Sequence, residues 1–104
     1  MTFDEYEQLA RRTINPALSR DERLLDAAAG LSEEAGEVLG LVRKQQFQHR
    51  QTTTEQFAEE LGDVLWCLAM TANTLGLSLH EIAEGNVRKL EARHPHGFRS
   101  ADSR

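Results

Sequence analysis

Helix-start signals recur along this 104-residue chain at intervals that leave room for four helices and little else. Thr2 with Glu5 three residues on reads as a capping box, in which each side chain satisfies the other's backbone N–H. It opens a first helix from about Phe3 to Thr13, closed near Asn15-Pro16. A second helix is predicted from about Arg20 to Lys44, with Asp21 and Glu22 in its first turn and Arg43 and Lys44 in its last, the charge order that suits the helix dipole. Periodicity breaks from Gln45 to Thr53. Either Thr52 with Glu55 or Thr53 with Gln56 then caps a third helix reaching about Leu75, where Gly76 stops it. Ser78 with Glu81 makes another capping box and opens a fourth, which ends at Arg93 or His94 ahead of Pro95. No period-two alternation, repeat or low-complexity tract competes, so the fold class is all-α, and short connections favour a four-helix bundle. Residues 1–98 form one domain in this reading, and Arg99 to Arg104 a polar tail.

A helical wheel assigns the buried stripes. On the second helix Leu24, Ala28, Leu31, Ala35, Val38 and Val42 fall in line, with Glu34 and Glu37 at the stripe's edge. On the third, Phe57, Leu61, Val64, Leu65, Leu68 and Ala72 do so, while Trp66, Cys67 and Met70 extend the apolar surface toward Glu60 and Asp63. A helix apolar nearly all round needs partners on several sides, which predicts a homo-oligomer, dimer or tetramer, with the third helix near the interface. Gly36 and Gly40, four apart, each cost about 1 kcal/mol in a helix interior, a cost that close helix packing would offset.

Composition narrows function by exclusion. A net charge of −5 argues against stable nucleic-acid binding through the phosphate backbone, leaving free nucleotides, which need only a local basic site. A single cysteine, Cys67, rules out an internal disulfide or thiolate zinc cluster and fits a reducing cytoplasm. The N-terminus lacks a signal-peptide layout, and the uncharged stretch Val64 to Leu79 is too short and too polar to span a membrane.

The acids carry the chemistry. Glu34 and Glu37 on one helix, and Glu60 and Asp63 on another, are spaced three apart and so point the same way, and none of the four has a basic residue three or four positions off. Two like charges about 5 Å apart repel by roughly 3 kcal/mol at an effective dielectric of about 20. A divalent cation would offset that for several carboxylates at once, and an all-oxygen donor set selects Mg²⁺ first and Mn²⁺ second. Glu33, beside the first pair, is a candidate general base toward water. The fourth helix provides contrast, because Glu84 and Glu91 each lie within reach of Arg88 as ordinary ion pairs.

Glu33-Glu34-Ala35-Gly36-Glu37, followed by Glu60-Leu61-Gly62-Asp63-Val64-Leu65-Trp66, resembles the EExxE and ExxD signature of the MazG-like all-α nucleoside triphosphate pyrophosphohydrolases. Asn86 through Phe98 is similar to that family's closing motif, and the likeness runs from about Leu24 to Phe98. The resemblance implies Mg²⁺-dependent hydrolysis of a nucleoside triphosphate between its α and β phosphates, as house-cleaning of the nucleotide pool by a dimer or tetramer. It assigns Glu34, Glu37, Glu60 and Asp63 to the metal and Glu33 to water activation. Asn86, Lys89 and Arg93 match phosphate-contacting positions, and Lys44 could add another cation. Many relatives carry an aromatic residue where this chain has Cys67. Trp66 points about 100° away from it, so these two residues define the base pocket only loosely. A related dUTPase or phosphoribosyl-ATP pyrophosphatase would share the acids.

Two rivals from other classes stand beside this reading. A di-iron carboxylate bundle needs two Glu-x-x-His motifs, and only Glu91-Ala92-Arg93-His94 fits, with His49, His80 and His96 read as surface or capping residues. A non-catalytic helical interaction module would use the acids as a docking surface, and metal dependence separates it from an enzyme.

Overall fold

The computed structural model describes residues 1–48 and 51–98. The predicted tail and His49 lie outside them. Four α-helices follow in order: α1 Phe3–Ala10, α2 Arg20–Phe47, α3 Thr54–Thr74 and α4 Leu79–Arg93. There is no strand among the described residues, and no helix is long and apolar enough to cross a membrane.

The start signals operate as local chemistry dictates. Thr2 and Glu5 form the predicted box, and α1 ends earlier than expected, at Ala10, tightening into a 3-10 turn over Arg11–Thr13. α2 opens on a box the sequence reading passed over, Ser19 with Glu22, although the S-x-x-E pattern was there to be seen. It also runs three residues past Lys44, to Phe47, because no residue at its predicted end breaks a helix. Of the two boxes offered for α3, Thr53 with Gln56 forms, while the Thr52 hydroxyl is buried without a partner. At the far end Gly76 takes φ of +76°, Leu77 N–H donates to Ala72 C=O and Gly76 N–H to Asn73 C=O, the paired bonds of a Schellman stop. Of the box predicted for α4 only one half forms: the Ser78 hydroxyl accepts from Glu81 N–H, without the reciprocal bond from the Ser78 backbone to the Glu81 side chain.

α2 and α3 pack along one another as an antiparallel pair, and α4 packs chiefly on α1. The buried carboxylate of Glu7 on α1 accepts the backbone N–H of Leu79, the first residue of α4, so one side chain both caps α4 and ties it to α1. The small core, Ala10, Ala27, Ala69, Met70 and Leu79 with Tyr6, Ile14, Leu65 and Trp66 around it, sits where α1 crosses the pair.

Residue pairs across α2 and α3 reveal a register: Ala27 shares a cavity lining with Met70, Gly30 faces Cys67, and Glu34 lies with Asp63. That register corrects the predicted stripe of α2. Ala28 and Ala35 are exposed, Ala27 is buried, and Gly30 and Glu34 fall in the seam itself. The same correction reaches the glycines. A Cβ on Gly30 would come within 2.9 Å of the Cys67 sulfur, so this is the glycine that lets the helices approach, whereas Gly36 and Gly40 have nothing within 4 Å. On α3, Leu61 and Leu68 belong to the exposed face rather than the core. The predicted Arg88 ion pairs are absent among the described residues, and Glu84 instead meets His80 at 3.3 Å, one turn earlier on α4.

Candidate metal and nucleotide site

Glu34 from α2 and Glu60 and Asp63 from α3 each bring one carboxylate oxygen to within 4.8 Å of the others. The antiparallel register causes this: a carboxylate in the seam of α2 lies opposite the first and fourth positions of a Glu-x-x-Asp turn on α3. Three acids held so close disfavour full ionisation. Partial desolvation first, then the charges of Asp63 and Glu60, a hydrogen bond to Glu60 and the charge of Glu33 push the Glu34 carboxyl above its ordinary range. None of the three makes an ion pair among the described residues, so protein cations do not relieve the repulsion. Hard oxygen donors with an unrelieved negative charge fit a divalent ion such as Mg²⁺.

Glu37 lies one turn beyond Glu34, exposed and outside that trio, at the level of Glu60 by the register. Glu33 is exposed, and its charge reaches Glu34 and Cys67. Cys67 is buried against Gly30, and burial together with the charges of Glu34 and Asp63 pushes its thiol up, away from the reactive thiolate. Trp66 turns away from the acids: its Nε1 donates to the Thr13 hydroxyl at 2.8 Å, and its ring packs on the core. Tyr6 was missed by sequence reasoning. It comes from α1, and burial followed by the charges of Cys67 and Asp63 raises its pKa, so its ring stands at the edge of the site. Nothing local marks it, because only the crossing of α1 over α3 carries it there.

The basic residues are less gathered. Asn86 opens on an apolar groove shared with Leu65 and Leu68 of α3, and Lys89 and Arg93 are exposed on the following turns of α4. Lys44 is exposed near the end of α2, ten residues beyond Glu34 and so roughly 15 Å along the axis. Among the described residues none of these four bonds to the acid trio.

An acid trio across an antiparallel helix pair is where comparison with known proteins decides the matter. Residues 23–98 match the MazG nucleotide pyrophosphohydrolase domain. The chain belongs to that family. Its similarity extends to the Gene 37 protein of Mycobacterium phage L5, at 34% identity over 80 residues, covering 73% of this chain and 70% of that protein. No solved structure matches. The family match starts three residues into α2, runs past the end of α4 and contains every acid of the site, while α1 and the 3-10 turn precede it.

Proposed function

We propose that this MazG-family chain hydrolyses nucleoside triphosphates, deoxynucleotides foremost, between the α and β phosphates, giving the monophosphate and pyrophosphate. The observation that carries the proposal is the convergence of the Glu34, Glu60 and Asp63 carboxylates within 4.8 Å, unpaired and repelling. These three, with Glu37 one turn on, would hold Mg²⁺, with Mn²⁺ as a substitute. When bound, that ion supplies positive charge against the phosphate oxygens. Glu33 takes the proton of the attacking water, an assignment its exposed place beside the trio supports. Asn86, Lys89 and Arg93, with Lys44 as a further cation, bind and orient the triphosphate and stabilise the charge that develops as pyrophosphate leaves. The base lies at the edge of the trio beside Tyr6, since Trp66 is held by Thr13 and Cys67 is buried against Gly30. House-cleaning of the cytoplasmic nucleotide pool is the role this activity would serve.

The working unit is a homo-oligomer, dimer or tetramer. The chain's accessible surface is 7974 Å², against roughly 5,900 Å² for a compact monomer of its mass. Its radius of gyration is 16.7 Å, where about 13 Å is usual for this length. Leu61, Leu68, Ile82, Val87 and Leu90 stand exposed on α3 and α4, and helices from a second copy would complete a bundle over them.

Product analysis by chromatography tests the reaction: each common NTP and dNTP is incubated with and without Mg²⁺, alongside Glu60→Ala. Metal-dependent monophosphate and pyrophosphate, lowered at least 100-fold in the variant, are expected. Thermal shift with Mg²⁺ tests the site, and a shift unchanged in Glu34→Ala would overturn it.

A further inference from the structure

We propose a second, anion-binding site at the opposite end of the α2–α3 pair, where Arg11, Arg23 and Asn73 line an open cavity of about 260 Å³ together with Ile14 and Pro16, and that its ligand is a phosphate group. Three separate elements meet there: the 3-10 turn supplies Arg11, the first turn of α2 supplies Arg23, and the last turn of α3 supplies Asn73. The Arg23 Nε donates to Leu18 C=O at 3.4 Å, which anchors the guanidinium and leaves its Nη groups for the cavity. Neither arginine makes an ion pair among the described residues.

The charge is out of place on ordinary grounds. In a chain of net charge −5, carboxylates are plentiful enough to neutralise a pair of arginines, yet among the described residues no acid lines this cavity, and Asp26, which borders the adjoining cavity with Arg23, forms no ion pair with it. Arg11 has an ordinary role as well, since a cation near the end of α1 complements that helix's dipole. That role does not account for a second guanidinium and a side-chain amide facing the same opening. Two forks of N–H donors and an amide NH₂ form a donor set for a tetrahedral oxyanion, which accepts several hydrogen bonds at once.

This place is distinct from the acid trio. Asn73 lies ten residues along α3 from Asp63, roughly 15 Å of helix. Arg11, Ile14 and Pro16 also precede the segment that matches the family, and Arg23 and Asn73 fall within it. Among the described residues no aromatic lines the cavity, and Trp66 of the adjoining one is engaged with Thr13, so the donor set favours a small inorganic ion over a whole nucleotide.

The test is a two-dimensional NMR titration of the full chain in chelator, at constant ionic strength. Inorganic phosphate, pyrophosphate and a nucleoside monophosphate are added in separate arms. Without divalent metal no turnover enters, so the result is independent of the proposed hydrolysis. Saturable shifts are expected at the Asn73 side-chain amide and the Arg23 Nε. The dissociation constant should rise about tenfold in Arg11→Gln, an exposed position whose loss leaves the core untouched, and further in Asn73→Asp. A monophosphate that binds no tighter than phosphate identifies the free ion as ligand, and one that binds tenfold tighter identifies a nucleotide phosphate; both support the site. Shifts equal in wild type and Arg11→Gln, or confined to the acid trio, overturn it. So does a loss of self-association in Arg11→Gln and Asn73→Asp with the phosphate titration unchanged, because the cavity would then receive a carboxylate from a second copy.

Discussion

The seam between α2 and α3 and the outer face of α3 with α4 are both apolar, yet one is closed and the other open. In the seam Ala27, Gly30, Cys67 and Met70 close up until a Cβ on Gly30 would come within 2.9 Å of the Cys67 sulfur. On the outer face Leu61, Leu68, Val87 and Leu90 are at least a third exposed. A single chain therefore spends its small residues on holding one helix pair together and leaves its large ones for another surface. The Glu34, Glu60 and Asp63 carboxylates depend on the first arrangement, since their spacing follows from two backbones fixed close together.

The comparison breaks if the seam is not the stabilising region. Met70→Ala, at a site 2% exposed, is expected to destabilise the fold by about 3 kcal/mol, measured by denaturant unfolding. Next in size, Leu68→Lys on the outer face should weaken self-association tenfold or more, about 1.4 kcal/mol, in sedimentation velocity, while leaving helix content intact. A protein monomeric before and after the change would remove the outer face from any interface.

Glycine sharpens the contrast. Gly36→Ala, with open space around it, should stabilise by roughly 0.5–1 kcal/mol through helix propensity. A destabilising result would mean that Gly36 packs on a second copy. The smallest effect is on pH. Because the Glu34 pKa is raised in the fold, its contribution is present at low pH and lost as pH rises through and beyond the ordinary carboxylate range, so the melting temperature in chelator should fall over that span. Added Mg²⁺ should abolish the fall.

How much of this could be read from residues depends on range. Capping boxes at Thr2 and Thr53 and the Gly76 stop were legible because each is an interaction across three or four residues. The rotation of α2 was not. Alanine and glycine look alike on a hydropathy wheel, and whether Ala27 or Ala28 turns inward depends on the partner helix. Tyr6 and the Arg11–Arg23 cavity were equally hidden, since their members lie far apart along the chain and meet only through the crossing of α1.

By itself the sequence determined four helices, where each begins, the Gly76 stop, and the family resemblance carried by EExxE and ExxD, because helix caps and a three-residue spacing are local properties of a chain. Tertiary structure alone decided that Glu34 joins Glu60 and Asp63 while Glu37 stands one turn away, that Gly30 rather than Gly36 is the close contact, and that Glu7 ties α4 to α1. These follow from the register between helices, which is set by the best fit of two surfaces against each other and has no signature on either one alone.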